Sequence, residues 1–114
     1  MSNFFADYLH AWDTLDIDTV MAFFTEDIVY EDTTIGHGGT GAKEVRRFVR
    51  GSFENVPEAR FEYVGHVSTD TEYAIEWVMQ PMGVRGVSIG KLRDGKISQN
   101  RDYWNGAAFK VPNV

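Results

Sequence analysis

The chain has 114 residues, a length that closes one core, and its 11 lysines and arginines against 17 acidic residues give a formal charge of −6, which repels a phosphate backbone and argues against nucleic acid as a partner. There is no cysteine, so disulfides, thiolate metal sites and a cysteine nucleophile are excluded, and any chemistry must come from oxygen and nitrogen groups. A hydrophobic share of 43%, with 14% aromatic, suffices for a core and leaves bulky rings to line a cavity. No apolar run approaches the roughly 18 residues of a membrane span, and Asp7 and Asp13 flank the first apolar turn without a basic cluster, so a single cytoplasmic domain over residues 1–114 is expected, with no membrane partner.

In chain order, Phe4, Phe5, Tyr8, Leu9 and Trp12 recur at steps of three and four and predict a helix from Asn3 to Asp13. Asp16 is placed to cap a second helix carrying Ile17, Val20, Met21 and Phe24, interrupted at Thr25 to Asp27. Ile28 to Glu31 is β-branched and aromatic, and it runs through Asp32 to Ile35 into the glycine-rich stretch Gly36 to Gly41, which predicts a short hairpin or bent strand. Thr40 is a plausible cap for a third helix, with Ala42, Val45, Phe48, Val49 and Phe53 on its buried side, ending at Pro57.

Everything beyond is strand-like: 60–67, 72–80, 84–93 and 96–105, separated by turn chemistry at Thr69-Asp70, Pro81-Met82-Gly83 and Asp94-Gly95. Asp94-Gly95 is the strongest hairpin signal, because both central residues of that turn type need positive φ. Residues after Phe109 read as a loose tail. Helices first and strands later indicate an α+β fold with an antiparallel sheet.

Several patterns look catalytic without their context. Gly86-Val87-Ser88-Ile89-Gly90 matches G-x-S-x-G, and His37-Gly38-Gly39 resembles an oxyanion loop, but a serine elbow needs a helix after the turn and this segment runs into a hairpin. Gly86 and Gly90 are better explained by crowding or a bulge in a bent strand. Gly36 to Gly41 lacks the Lys-Ser/Thr ending of a phosphate cradle. His10, His37 and His66 are isolated, so neither a metal nor a cofactor is predicted. Lys43, Arg46, Arg47 and Arg50 form the solvated face of the third helix.

Two side chains have more to offer. Tyr8 lies on the apolar face of the first helix and Asp32 sits where the first strand bends, beside Trp12, Phe24 and Tyr30. A partly desolvated carboxylate there is a stronger base, and a phenol close by can donate to a developing enolate. The plainer alternative makes Asp32 a turn residue and Tyr8 a core residue.

The stretch from Tyr8 to Asp32, with Trp12, Asp16-Ile17-Asp18, Phe23-Phe24, Glu26-Asp27 and Glu31-Asp32, resembles the opening of ketosteroid isomerases. Asp94-Gly95-Lys96-Ile97 and Asn100-Arg101-Asp102-Tyr103-Trp104 are similar to SnoaL-like proteins and limonene epoxide hydrolases. Together they place the chain among nuclear transport factor 2-like domains. The resemblance implies a cone-shaped single domain with three N-terminal helices packed on a strongly curved, mostly antiparallel sheet, and a homodimer through the open sheet face.

It further implies Asp32 as proton-shuttling base, Tyr8 as oxyanion donor and Asp102 as a pocket acid or base, with Trp12, Phe24, Tyr30, Trp77 and Trp104 around a small apolar carbonyl-containing molecule. The expected activity is isomerase- or polyketide cyclase-like, the alternatives being non-catalytic binding or epoxide hydrolysis. The chain departs from both models: Ser88 and Ile89 stand where the isomerases carry a second aspartate, and Trp77-Val78-Met79 stands where the epoxide hydrolases carry Arg-x-Asp. Alternation puts Asp102 and Trp104 on one face of the last strand and Arg101 and Tyr103 on the other. Strict pairing through the Asp94-Gly95 turn would put Lys96 on the Asp102 face, so an inward Asp102 requires a bulge.

Overall fold

A computed structural model describes residues 3–109; the tail expected after Phe109 lies outside them. Helix α1 (Phe4–Asp13) starts where Asn3 accepts hydrogen bonds from the backbone N–H groups of Phe5 and Ala6 at 3.0 and 3.2 Å, satisfying two donors that the first turn leaves free. Its buried residues Phe5, Tyr8, Leu9 and Trp12 keep the spacing read from the sequence. Asp16 caps the single-turn helix α2 (Ile17–Met21) through Asp18 N–H. Phe24, expected to continue that helix, instead opens strand β1 (Phe24–Asp32).

Along β1, Ile28, Tyr30 and Asp32 are buried while Val29 and Glu31 face out, the period-2 pattern of a half-buried strand. Asp32 Oδ1 then accepts from the N–H groups of Thr34 and Ile35 at 3.1 and 3.3 Å, an Asx turn that reverses the chain into β2 (His37–Thr40). Thr40 does not cap α3 (Ala42–Asn55), because the β1 ladder holds it opposite Val29. Gly41 occupies the cap position without a side-chain bond, and Glu44 reaches back to accept from Thr40 N–H at 2.9 Å.

Strands β3 (Arg60–Ser68), β4 (Glu72–Gln80), β5 (Val84–Arg93) and β6 (Lys96–Trp104) follow in succession. Asp94 and Gly95 have φ of 54° and 78°, as the predicted turn requires. The six-stranded sheet runs β2-β1-β6-β5-β4-β3. The expectation of an antiparallel sheet holds for every neighbouring pair except β1 with β6, which run parallel. A parallel pair needs a long crossover, and the chain from β2 through β5 supplies it.

The bulge required by an inward Asp102 is present. Leu92 pairs with Ile97 and Lys91 with Gln99, so Ser98 is the extra residue, and Ile97, Asn100 and Asp102 all turn inward. Gly86 and Gly90 on β5 answer to crowding from the neighbouring strands β4 and β6. A Cβ at Gly86 would lie 2.4 Å from the Trp77 ring, and one at Gly90 would lie 1.9 Å from the Gln99 carbonyl oxygen and 2.6 Å from the Tyr73 hydroxyl. Tyr8, Val20, Ile28, Val45, Val49, Ile75 and Ile97 anchor the core between helices and sheet. Among the described residues no helix is long and apolar enough to cross a membrane.

Candidate functional site

The inner sheet face and the helices enclose a cavity of about 550 Å³. Tyr8 and Trp12 reach it from α1, Tyr30 and Asp32 from β1, Phe48 from α3, Trp77 from β4, Ser88 from β5, and Asp102 and Trp104 from β6. Of the residues singled out in the sequence, Phe24 alone is not in the lining: its ring packs against those of Tyr8 and Tyr30, at 5.8 and 6.0 Å, behind the wall. Among the described residues no lysine or arginine lines the cavity, and His37 is the one basic side chain that does.

Asp32 and Asp102 are register partners on the two parallel strands, so the pleat points both carboxyls to the same side of the sheet. Each is 8% exposed. Their surroundings differ. Asp102 is the acceptor at the centre of a buried network: the Ser88 hydroxyl donates to Oδ1 at 2.6 Å, Asn100 Nδ2 donates to the same oxygen at 2.7 Å, and the Tyr30 hydroxyl donates to Oδ2. A second tier fixes those donors. Trp77 Nε1 donates to Ser88 Oγ at 2.9 Å, and the Tyr73 hydroxyl donates to Asn100 Oδ1 at 2.5 Å. Burial pushes Asp102 up from the ordinary 3.8 to about 6; the hydrogen bonds from Ser88, Tyr30 and Asn100 oppose the shift, and the nearby charge of Asp32 adds to it.

Asp32 accepts from Trp104 Nε1 with both oxygens, at 3.0 and 2.9 Å, in addition to its two turn bonds. Burial raises its pKa, and the Trp104 and backbone donors restrain the rise. Trp104 therefore does more than form a wall. The Tyr8 and Tyr30 phenols are held well above their ordinary range, first by burial and then by the charge of Asp102, so both remain protonated donors near neutrality. For Tyr8, hydrogen bonding with Trp12 and Tyr30 offsets part of this.

Sequence reasoning assigned Tyr30 to the wall, met Ser88 only as a rejected nucleophile and as a departure from the isomerases' second aspartate, and gave Asn100 and Tyr73 no role. Asn100 shares the face of Asp102 by simple alternation, a usable signal, whereas Tyr73 and Ser88 enter only through the β4 and β5 registers. Among the described residues no three His, Asp or Glu side chains gather as metal ligands. What the arrangement offers is two raised carboxyls in different hydrogen-bonding surroundings, one tyrosine donor bonded to Asp102 and another beside that tyrosine, in a largely apolar chamber.

Solved structures share this architecture. A SnoaL-like protein of unknown function from Burkholderia thailandensis is 16% identical with a TM-score of 0.79, covering 90% of this chain and 92% of its own. A protein with a ketosteroid isomerase-like fold from Catenulispora acidiphila, in complex with trimethylamine, is 16% identical with a TM-score of 0.80 over 95% and 89% of the two chains. A provisionally assigned isomerase of the SnoaL-like family from Agrobacterium tumefaciens is 19% identical with a TM-score of 0.74 over 90% and 95%. At such identities the likeness speaks for the fold alone. No curated protein matches the chain. The sequence itself matches the SnoaL-like domain over residues 5–100, and on that ground the chain belongs to the SnoaL-like family.

Proposed function

We propose that the protein is a small-molecule acid/base enzyme that moves a proton next to a carbonyl, in the manner of an isomerase or polyketide cyclase. Asp32 removes the acidic C–H proton, and Tyr8 together with neutral Asp102 stabilises the oxyanion that forms. One observation carries the reading: the two inward carboxyls are neighbours on paired strands at an apolar cavity, in different hydrogen-bonding surroundings. Unequal environments are how one site holds a base and an acid at the same pH. Burial raises Asp32 toward effective basicity, and the predominantly apolar and aromatic lining, with no lysine or arginine among the described residues, favours a neutral, largely apolar substrate.

The test is turnover on a panel of cyclic ketones, steroids and polyketide-like compounds. Asp32→Asn should lower turnover by about 10²–10⁴-fold, the usual contribution of a general base. Full activity in that variant would end the proposal. Non-catalytic binding is favoured by a different observation: Trp104 occupies both Asp32 oxygens, which suits orienting a ligand as well as activating one. Tight binding with an unaltered ligand across pH would decide for it. Epoxide hydrolysis has no support, since Trp77 and Met79 fill the inward positions of the middle strand where a water-positioning pair would stand.

A homodimer through the outer sheet face is part of the proposal. Tyr103, 41% exposed, pairs there with Val87, and Arg101 pairs with Ile89, giving an apolar patch with a charged edge of a composition common at interfaces. Sedimentation as a monomer at micromolar concentration would exclude it.

A further inference from the structure

We infer that Tyr30 meets the substrate oxygen beside Tyr8, and that the contribution of neutral Asp102 passes through Tyr30, with Asp102 as a positioning residue whose proton decides which way the Tyr30 hydroxyl points. This rests on the oxyanion half of the reading above and is independent of Asp32 as base. With Asp102 ionised, Oδ1 takes the hydrogen bonds of Ser88 and Asn100, and Oδ2 takes that of Tyr30. The Tyr30 proton is then committed to the carboxylate and unavailable to a ligand.

A proton arriving on Asp102 has one place to go. Oδ1 already accepts twice, and both of its donors are themselves fixed, Ser88 by Trp77 and Asn100 by Tyr73. The proton therefore sits on Oδ2 and is donated to the Tyr30 oxygen. The hydrogen bond reverses without moving a heavy atom, and the Tyr30 hydroxyl, still carrying its own proton, turns that proton into the cavity both residues line. A hydroxyl is suited to this exchange because its hydrogen rotates freely while its oxygen can donate and accept.

The titratable groups facing Asp102 are Asp32 and Tyr30 from β1, Tyr8 from α1 and Tyr73 from β4, and among the described residues no lysine or arginine lines the cavity to hold the carboxylate ionised. Burial places its titration at about 6, so the donor-out form of Tyr30 prevails below that pH and is lost above it.

The probe is 4-nitrophenol, whose phenolate mimics an enolate oxygen and reports its own ionisation by absorbance. Affinity for the phenolate form, corrected for its ionisation in free solution, is measured against pH in protein carrying Asp32→Asn, so that the other cavity carboxyl, itself raised by burial, adds no slope. With Asp102 intact it should fall about tenfold per pH unit above the Asp102 titration, since one proton must be present. Asp102→Asn should bind with no pH dependence, because the amide keeps an acceptor for Ser88 and Asn100 and presents a fixed N–H to the Tyr30 oxygen. Tyr30→Phe should bind about 10–100-fold more weakly at low pH, the worth of a hydrogen bond to a charged group.

A second measurement needs no variant: the carboxyl ¹³C signal of Asp102 and the ring ¹³Cζ signal of Tyr30 should titrate together. The inference is overturned by a pH slope that persists in Asp102→Asn, by undiminished binding in Tyr30→Phe, by a Tyr30 signal that stays still while Asp102 titrates, or by absence of phenolate binding at any pH. None of these outcomes touches Asp32, whose role is decided by turnover.

Discussion

Replacing Asp102 with asparagine should remove a pH-dependent penalty from the fold. In the folded chain the carboxyl titrates near 6 against an ordinary 3.8, so between those values the native state holds a proton that the unfolded state releases. Stability from this group is complete below about pH 4 and declines as pH rises through about 6, with no further loss beyond. The gap of roughly two pH units corresponds to about 3 kcal/mol at 1.36 kcal/mol per unit. Asp13 and Asp32 are also raised, but both remain in the variant, so the difference between the two proteins reports Asp102 together with its coupling to Asp32. The ion pair of Asp27 with Arg93 works in the opposite sense at lower pH, since Asp27 is held down at about 2.

Urea denaturation at about pH 4 and about pH 7.5 measures the effect. The natural protein should lose up to about 3 kcal/mol over that interval relative to the variant, which near neutrality should melt higher by about 10 °C or more. Equal pH dependence in the two proteins would refute the reasoning, because it would mean that the native carboxyl titrates like a solvated one.

The glycines of β5 separate two kinds of crowding. Gly90→Ala drives a Cβ against a backbone carbonyl that cannot retreat without parting β5 from β6, so a loss of more than about 3 kcal/mol, or failure to fold, is expected by urea titration. Gly86→Ala meets the Trp77 ring instead, should cost about 1–3 kcal/mol, and should change tryptophan emission as the indole leaves Ser88. Asn3→Ala removes the cap of α1 and should cost about 1 kcal/mol, read by thermal melting.

Local rules made much of this molecule legible from its residues. The three-and-four spacing of Phe5, Tyr8, Leu9 and Trp12 fixes the buried face of α1, and Asp94-Gly95 fixes the last hairpin, because each depends only on neighbouring residues. Thr40 shows where such rules stop. It has good cap chemistry, but pairing with Val29 claims it for a strand. Phe24 likewise follows a helical spacing and is captured by β1, whose register with Ile97 is long-range.

At the site, the inward turn of Asp102 could be stated from the sequence only as conditional on a bulge, and the bulge at Ser98 depends on how β5 accommodates it. The donors around Asp102 come from β1, β5 and β6, supported from β4, and no sequence spacing announces that convergence.

The parallel pairing of β1 with β6 joins the earliest strand of the sheet to the latest. A nascent chain halted after β5 has Asp32 without Trp104 to hold it, and Tyr30 with no carboxylate to face. The carboxyl pair of the chamber is therefore incomplete until β6 has been made. Its two carboxyls and the indole that grips Asp32 are brought together only where residues 96–104 lie between β1 and β5.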